Sequence, residues 1–153
     1  MERGVRLAVD VGRARVGVAR SDPDGLMAVP VETIPRDSAL ARLAELVSEY
    51  QPRVIVVGLP VNLHNNETES TRDSRDFARQ LASSHEVSVV LVDERLTTTA
   101  ALGALRTSGR SAKNSRGVVD QVAAVMLLET YLDSEKGGRP LGERVEAHHD
   151  NDA

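Results

Sequence analysis

Apolar residues fall in short runs between turn residues over the first third of the chain, and recur at helical spacing over much of the rest. Residues 5–10 and 16–20 read as strands joined by Gly12-Arg13-Ala14-Arg15, a plausible hairpin connection. Ser21-Asp22-Pro23-Asp24-Gly25 is a turn signal, built from residue types that accept tight backbone geometry. Residues 27–34 form a third strand, expected at a sheet edge because Pro30 cannot donate to a ladder. Asp37 or Ser38 can cap a helix with Leu40, Leu43, Ala44, Leu46 and Val47 at helical spacing, ended by Pro52. Val54-Ile55-Val56-Val57 is a continuous apolar run, as in a strand buried on both faces.

A polar stretch over 62–69 leads into a helix carrying Phe77, Ala78, Leu81 and Ala82 on one face, and residues 87–92 form the next buried strand. A helix is expected over 96–105, stopped by Gly109, then a polar, basic connector over 111–116. The last and most apolar helix covers 118–132 and stops at Gly137-Gly138. From Arg139 periodicity is lost. The reading is one domain over 1–137 and a polar, disordered tail over 138–153. A meander of three strands followed by crossover units gives an α/β fold with a mixed five-stranded sheet and helices on both faces.

Composition narrows the function classes. At 153 residues the chain can bury a real core, and without cysteine it has no disulfide framework, thiolate zinc site or cysteine nucleophile. No apolar run approaches the roughly 20 residues that cross a bilayer, and no signal-peptide core follows Met1. The expected compartment is the cytoplasm, with no membrane partner. The net charge of −4 and 2% aromatic content argue against nucleic-acid binding by bulk charge or by base stacking. Nucleic acid would have to be held through phosphates, metal ions and local basic patches.

Three acidic residues stand where a solvated charge is not the first expectation. Asp10 ends an apolar strand just before Gly12; Asp93-Glu94 ends Val89-Val90-Leu91-Val92; Asp120 lies near the start of the last helix. Side chains alternate across a strand, so Asp93 and Glu94 cannot easily serve one site. Ligands of open α/β sheets collect beyond the carboxyl ends of strands, where two strands and a packed helix could bring carboxylates together. Such a set suits Mg2+ or Mn2+, hard cations that take oxygen ligands. Two ions roughly 3.5–4 Å apart would activate water and stabilise the leaving oxygen in phosphodiester cleavage. Each acid also has a plainer reading: Asp10 as a turn cap, Asp93 and Glu94 as strand-end charges, Asp120 as a first-turn acid favoured by the helix dipole.

The chain resembles the YqgF, or RuvX, family, relatives of RuvC-type Holliday-junction resolvases in the RNase H-like superfamily. The likeness runs from about residue 7 to 132. It rests on Val9-Asp10-Val11-Gly12-Arg13-Ala14-Arg15-Val16-Gly17-Val18-Ala19, Val57-Gly58-Leu59-Pro60, Asp93-Glu94-Arg95-Leu96-Thr97-Thr98 and Val119-Asp120-Gln121-Val122-Ala123-Ala124. The resemblance implies a single RNase H-like nuclease domain with catalytic, metal-binding acids at Asp10, Glu94 and Asp120. It also implies a hydrolase of the two-metal-ion type that matures the 5′ end of pre-16S ribosomal RNA. After Pro60 this chain has Asn62-Leu63-His64-Asn65-Asn66 where similar proteins usually carry a glycine-containing loop.

Basic residues cluster despite the negative total. Arg13 and Arg15 flank the first turn, Arg95 adjoins Glu94, and Lys113 and Arg116 precede Asp120; these are the candidate phosphate contacts. Thr97 and Thr98 can offer hydroxyls to a phosphate, although capping a helix is their commoner job. The partner is structured RNA, with branched DNA as the alternative; the protein would be a monomer or homodimer. A sugar-kinase-type phosphotransferase would need a second domain, and a non-catalytic nucleic-acid-binding scaffold is the remaining class.

Overall fold

Strand β4 (Val54–Leu59) is apolar on both faces and β1 (Arg6–Val11) is buried from Arg6 to Val9, and the two stand at the centre of the sheet. The computed structural model describes residues 3–61, 64, 66–97 and 112–146, and in the last segment the described side chains begin at residue 121. Around the two central strands stand β2 (Arg15–Ser21), β3 (Ala28–Pro35), β5 (Ser88–Asp93) and β6 (Glu143–Val145). The helices are α1 (Ala39–Tyr50), α2 (Glu69–Ser84) and α3 (Ala112–Lys136).

The strands form one mixed sheet in the order β3-β2-β1-β4-β5-β6. β1, β4 and β5 are mutually parallel, β2 and β3 complete an antiparallel meander, and β6 returns antiparallel to β5. β3 is an edge strand, as Pro30 requires, and its register with β2 shifts between Val18 and Ala19 opposite that proline.

Alternation along the strands divides the core in two. Leu7, Val9, Ile55, Val57, Val89 and Leu91 face α1 and α2, meeting Leu43, Leu46, Phe77 and Leu81. Ala8, Val54, Val56 and Val92 face the other way, against Ala124, Leu127, Leu128, Tyr131 and Leu132 of α3. Helices therefore cover both faces.

The structure corrects the expected five strands to six. β6 lies within the stretch expected as a polar tail, and it gives no strand pattern in the sequence because it is three residues long with Glu143 and Arg144 exposed. The expected basic connector over 111–116 is also corrected, since α3 is already helical from Ala112. Polar residues at its start give no apolar period to read. The helix expected over 96–105 lies outside the described residues, apart from a 3-10 turn at Glu94–Leu96.

Candidate functional site

One row of residues crosses the sheet at the carboxyl end of β1. Thr33 of β3 pairs with Gly17 of β2, and Gly17 pairs with Asp10 of β1. On the other side β1 and β4 stay in step through Val9 beside Val57, so the next residue, Gly58, adjoins Asp10. Asp10 is half-buried and shares the α3 face with Ala8, two residues earlier. It thus stands between two glycines, where neighbouring strands leave the space of a side chain unfilled.

Glu94 occupies part of that space. A Cβ on Gly58 would lie 2.6 Å from Glu94 Oε1 and 3.1 Å from its Cγ, so the carboxylate rests on the bare backbone of Gly58. Gly58 shares the face of Val54 and Val56, which pack on α3. The two acids therefore lie on the same face of the sheet, Glu94 against the β4 position beside Asp10. Asp93 goes to the other side, as alternation demands: it follows the parity of Val89 and Leu91 and pairs in register with Leu59.

Asp120, the third expected acid, is a residue of α3. The helix packs across β1, β2, β3 and β4. The Gln121 amide donates to the Thr33 hydroxyl at 3.0 Å, which pins the helix backbone at residue 121 over the row containing Gly17 and Asp10. Asp120 is the preceding helical residue, one turn before the buried Ala124; its side chain lies outside the described atoms. Lys113 and Arg116 are helical residues of α3 whose side chains are likewise outside, and Thr98 lies outside the described residues.

The other expected contacts are distributed unequally. Arg13 pairs with Glu69 at 2.8 Å, both side chains more than two-thirds exposed, an arrangement that phosphate can readily displace. Arg15 opens β2 and is half-buried. Arg95 donates from its guanidinium to Asp93 at 2.6 and 3.0 Å, and its backbone N–H donates to the same carboxylate at 2.8 Å. Those hydrogen bonds hold the Asp93 carboxyl below its usual range. Thr97 spends its hydroxyl on the Glu94 carbonyl at 2.7 Å.

One residue near the site was not singled out from sequence. Arg36 donates to the Gly12 carbonyl at 2.9 Å and, in a fork, to Asp73 of α2 at 2.7 and 2.8 Å, while stacking 5.1 Å from the Phe77 ring centre. It ties the turn after Asp10 to α2. The start of α2 is fixed in turn by a Thr68–Thr71 capping box, and the Thr71 hydroxyl reaches back to the Pro60 carbonyl. Both contacts span many residues, and only Thr68, as a helix-cap residue type, carries a local signal.

The comparisons with known proteins agree with this frame. Thermus thermophilus RuvC, alone and in complex with Holliday junction substrate, superposes with TM-scores of 0.59 and 0.60 at 16% identity, covering 90% of this chain and 99% of that one. The fold is thus RuvC-like. The model of the RuvX family, described as Holliday junction resolvase, matches residues 4–134, and the chain belongs to that family. A protein of Clavibacter sepedonicus is 51% identical over 150 residues, covering 95% of this chain and 93% of its own length. One of Streptomyces coelicolor is 52% identical over 151 residues, covering 95% and 90%. Both bear the name "Putative pre-16S rRNA nuclease".

Proposed function

We propose that the protein hydrolyses phosphodiester bonds in structured nucleic acid, with the 5′ end of pre-16S ribosomal RNA as its substrate, and that Asp10, Glu94 and Asp120 hold the Mg2+ or Mn2+ it requires. The observation that carries the reading is the position of Asp10 between Gly17 and Gly58 with the Glu94 carboxylate seated on Gly58. Two carboxylates brought together over glycine backbone form a cradle that any larger residue at 58 would fill. Its donors are hard oxygens, which suit Mg2+ or Mn2+ and suit softer metals poorly. When bound, such ions supply Lewis-acid stabilisation of phosphate charge and an activated water.

The chain's own residues do the rest. Asp10 stands near the end of β1 and Glu94 in the hydrogen-bonded turn that follows β5, so their oxygens need little reordering to receive a cation. Arg13 and Arg15 at the β1–β2 turn, with Lys113 and Arg116 ahead of Asp120, serve as phosphate contacts that fix register without reading sequence. The names of the relatives support the RNA substrate. The family description supports a second reading, branched DNA, whose two-fold form would call for a homodimer.

The test offers purified protein with Mg2+ or Mn2+ a precursor 5′-leader ribosomal RNA, a four-way DNA junction and a linear duplex in parallel, with Asp10→Asn as the control. Cleavage of the RNA, lost in the variant, is the expected result. Cleavage of the junction alone moves the protein to the DNA reading. Binding without cleavage of any substrate contradicts the nuclease reading and leaves a scaffold.

A further inference from the structure

We propose that Gly58 and Thr97 are positioning residues for the Glu94 carboxylate: together they decide where that carboxylate sits and hence how tightly the site holds a divalent cation. The inference rests on the metal reading of Asp10 and Glu94 given above.

Glu94 is not a strand residue. It follows β5 in a single 3-10 turn, a short element with poor hydrogen-bond geometry that does not hold a side chain in place by itself. The turn is fastened from both sides. On the near side the Asp93 carboxylate accepts the Arg95 backbone N–H at 2.8 Å and the Arg95 guanidinium at 2.6 Å. On the far side the Glu94 carbonyl accepts two bonds from one residue, the Thr97 N–H at 3.1 Å and the Thr97 hydroxyl at 2.7 Å. With its backbone held at both ends, Glu94 keeps only its side-chain torsions free.

Gly58 takes up that remaining freedom. The hypothetical Cβ at position 58 lies 2.6 Å from Oε1, 3.1 Å from Cγ and 3.2 Å from Cδ of Glu94. Three atoms of the side chain therefore lie against the glycine, and turning the carboxylate about its last bond cannot clear a methyl group there. The whole carboxylate would have to swing off β4, away from the strand position beside Asp10.

This separates function from folding. The group that must give way is the end of a flexible, half-exposed side chain, and Gly58 has no left-handed backbone conformation that alanine would strain. Gly58→Ala is thus compatible with the strand, and removing a glycine from a strand interior favours stability. A glycine kept only for the fold would show the opposite: lost stability and intact metal binding.

The experiment is calorimetric titration of metal-free protein with Mn2+, together with the rise in melting temperature that Mn2+ produces, for wild type, Gly58→Ala, Thr97→Val, Thr97→Ser and Glu94→Gln. Groups that orient a metal ligand typically alter affinity by roughly 10–100-fold. Gly58→Ala should lose affinity within that range while melting without metal at or above the wild-type temperature. Thr97→Val, which keeps the shape and deletes the hydroxyl, should weaken binding several-fold, and Thr97→Ser should restore it. If Glu94→Gln loses Mn2+ while Gly58→Ala and Thr97→Val bind it as wild type does, the positioning roles are wrong and the metal reading survives. If Glu94→Gln itself binds Mn2+ normally, the metal reading falls, and the positioning proposal with it.

Discussion

Arg6 and Asp10 lie four residues apart on the same strand and the same face, both under α3, yet the sheet treats the two ends of that strand differently. Arg6 is fully buried, and its charge is answered: Nε donates to Glu135 of α3 at 3.0 Å, and Nη1 donates to the carbonyls of Gly4 and Pro23. At the Asp10 end the neighbouring strands bring glycines and, over one of them, a second carboxylate. One end is a closed ion pair that locks the chain terminus, the β2–β3 turn and the last helix together. The other sets two acidic residues beside glycine backbone on one face of the sheet, hard oxygen donors that suit a divalent cation. A buried charge with its partners in place points to structure, whereas acidic residues set beside glycine backbone point to a ligand.

The comparison breaks most sharply at the closed end. Arg6→Met leaves Glu135, only 6% exposed at its side chain, without its cation, and should cost roughly 3–5 kcal/mol of stability. Denaturant unfolding measures this, while the fraction still folded should bind Mn2+ as the wild type does. Asp10→Asn should do the reverse. Cleavage in a single-turnover assay should fall by about 100-fold or more, about 3 kcal/mol of transition-state stabilisation. Melting without metal should change far less than it does for Arg6→Met.

A smaller effect is expected at Arg36, which braces the turn beyond Asp10. The pair with Asp73 is about one-quarter to one-third exposed, so after solvent screening Arg36→Ala should cost about 1 kcal/mol. The Arg36 hydrogen bonds, and then its charge, hold the Asp73 carboxyl below the usual carboxylate range. A depressed acid contributes stability that is fully present above its unfolded value of about 3.9 and is lost as pH falls through the lower folded value. The stability difference between wild type and Asp73→Asn should therefore be flat from neutral pH to about pH 5 and shrink below about pH 4. A difference that grew on acidification would place the stabilisation elsewhere.

Much of the fold was legible because it follows from period and punctuation. Pro30 places β3 at an edge, the Val54–Val57 run marks a central strand, and alternation separates Asp93 from Glu94. The losses share a cause: features made by distant partners leave no local trace. β6 is a strand only because β5 offers an edge to three mostly exposed residues. Arg36 earns its place from Gly12 and Asp73, 24 and 37 residues away. Arg95 and Thr97 carry local bonds besides, to Asp93 and to the Glu94 carbonyl, that follow from how β5 ends.

The glycine-flanked end of β1 is proposed as a cation site, and Mn2+ titration of wild type against Asp10→Asn under identical conditions probes it. A cation site there gives saturable binding to the wild type, with a higher melting temperature in the presence of Mn2+, and loss of both in the variant. Equal binding by the two proteins would contradict it.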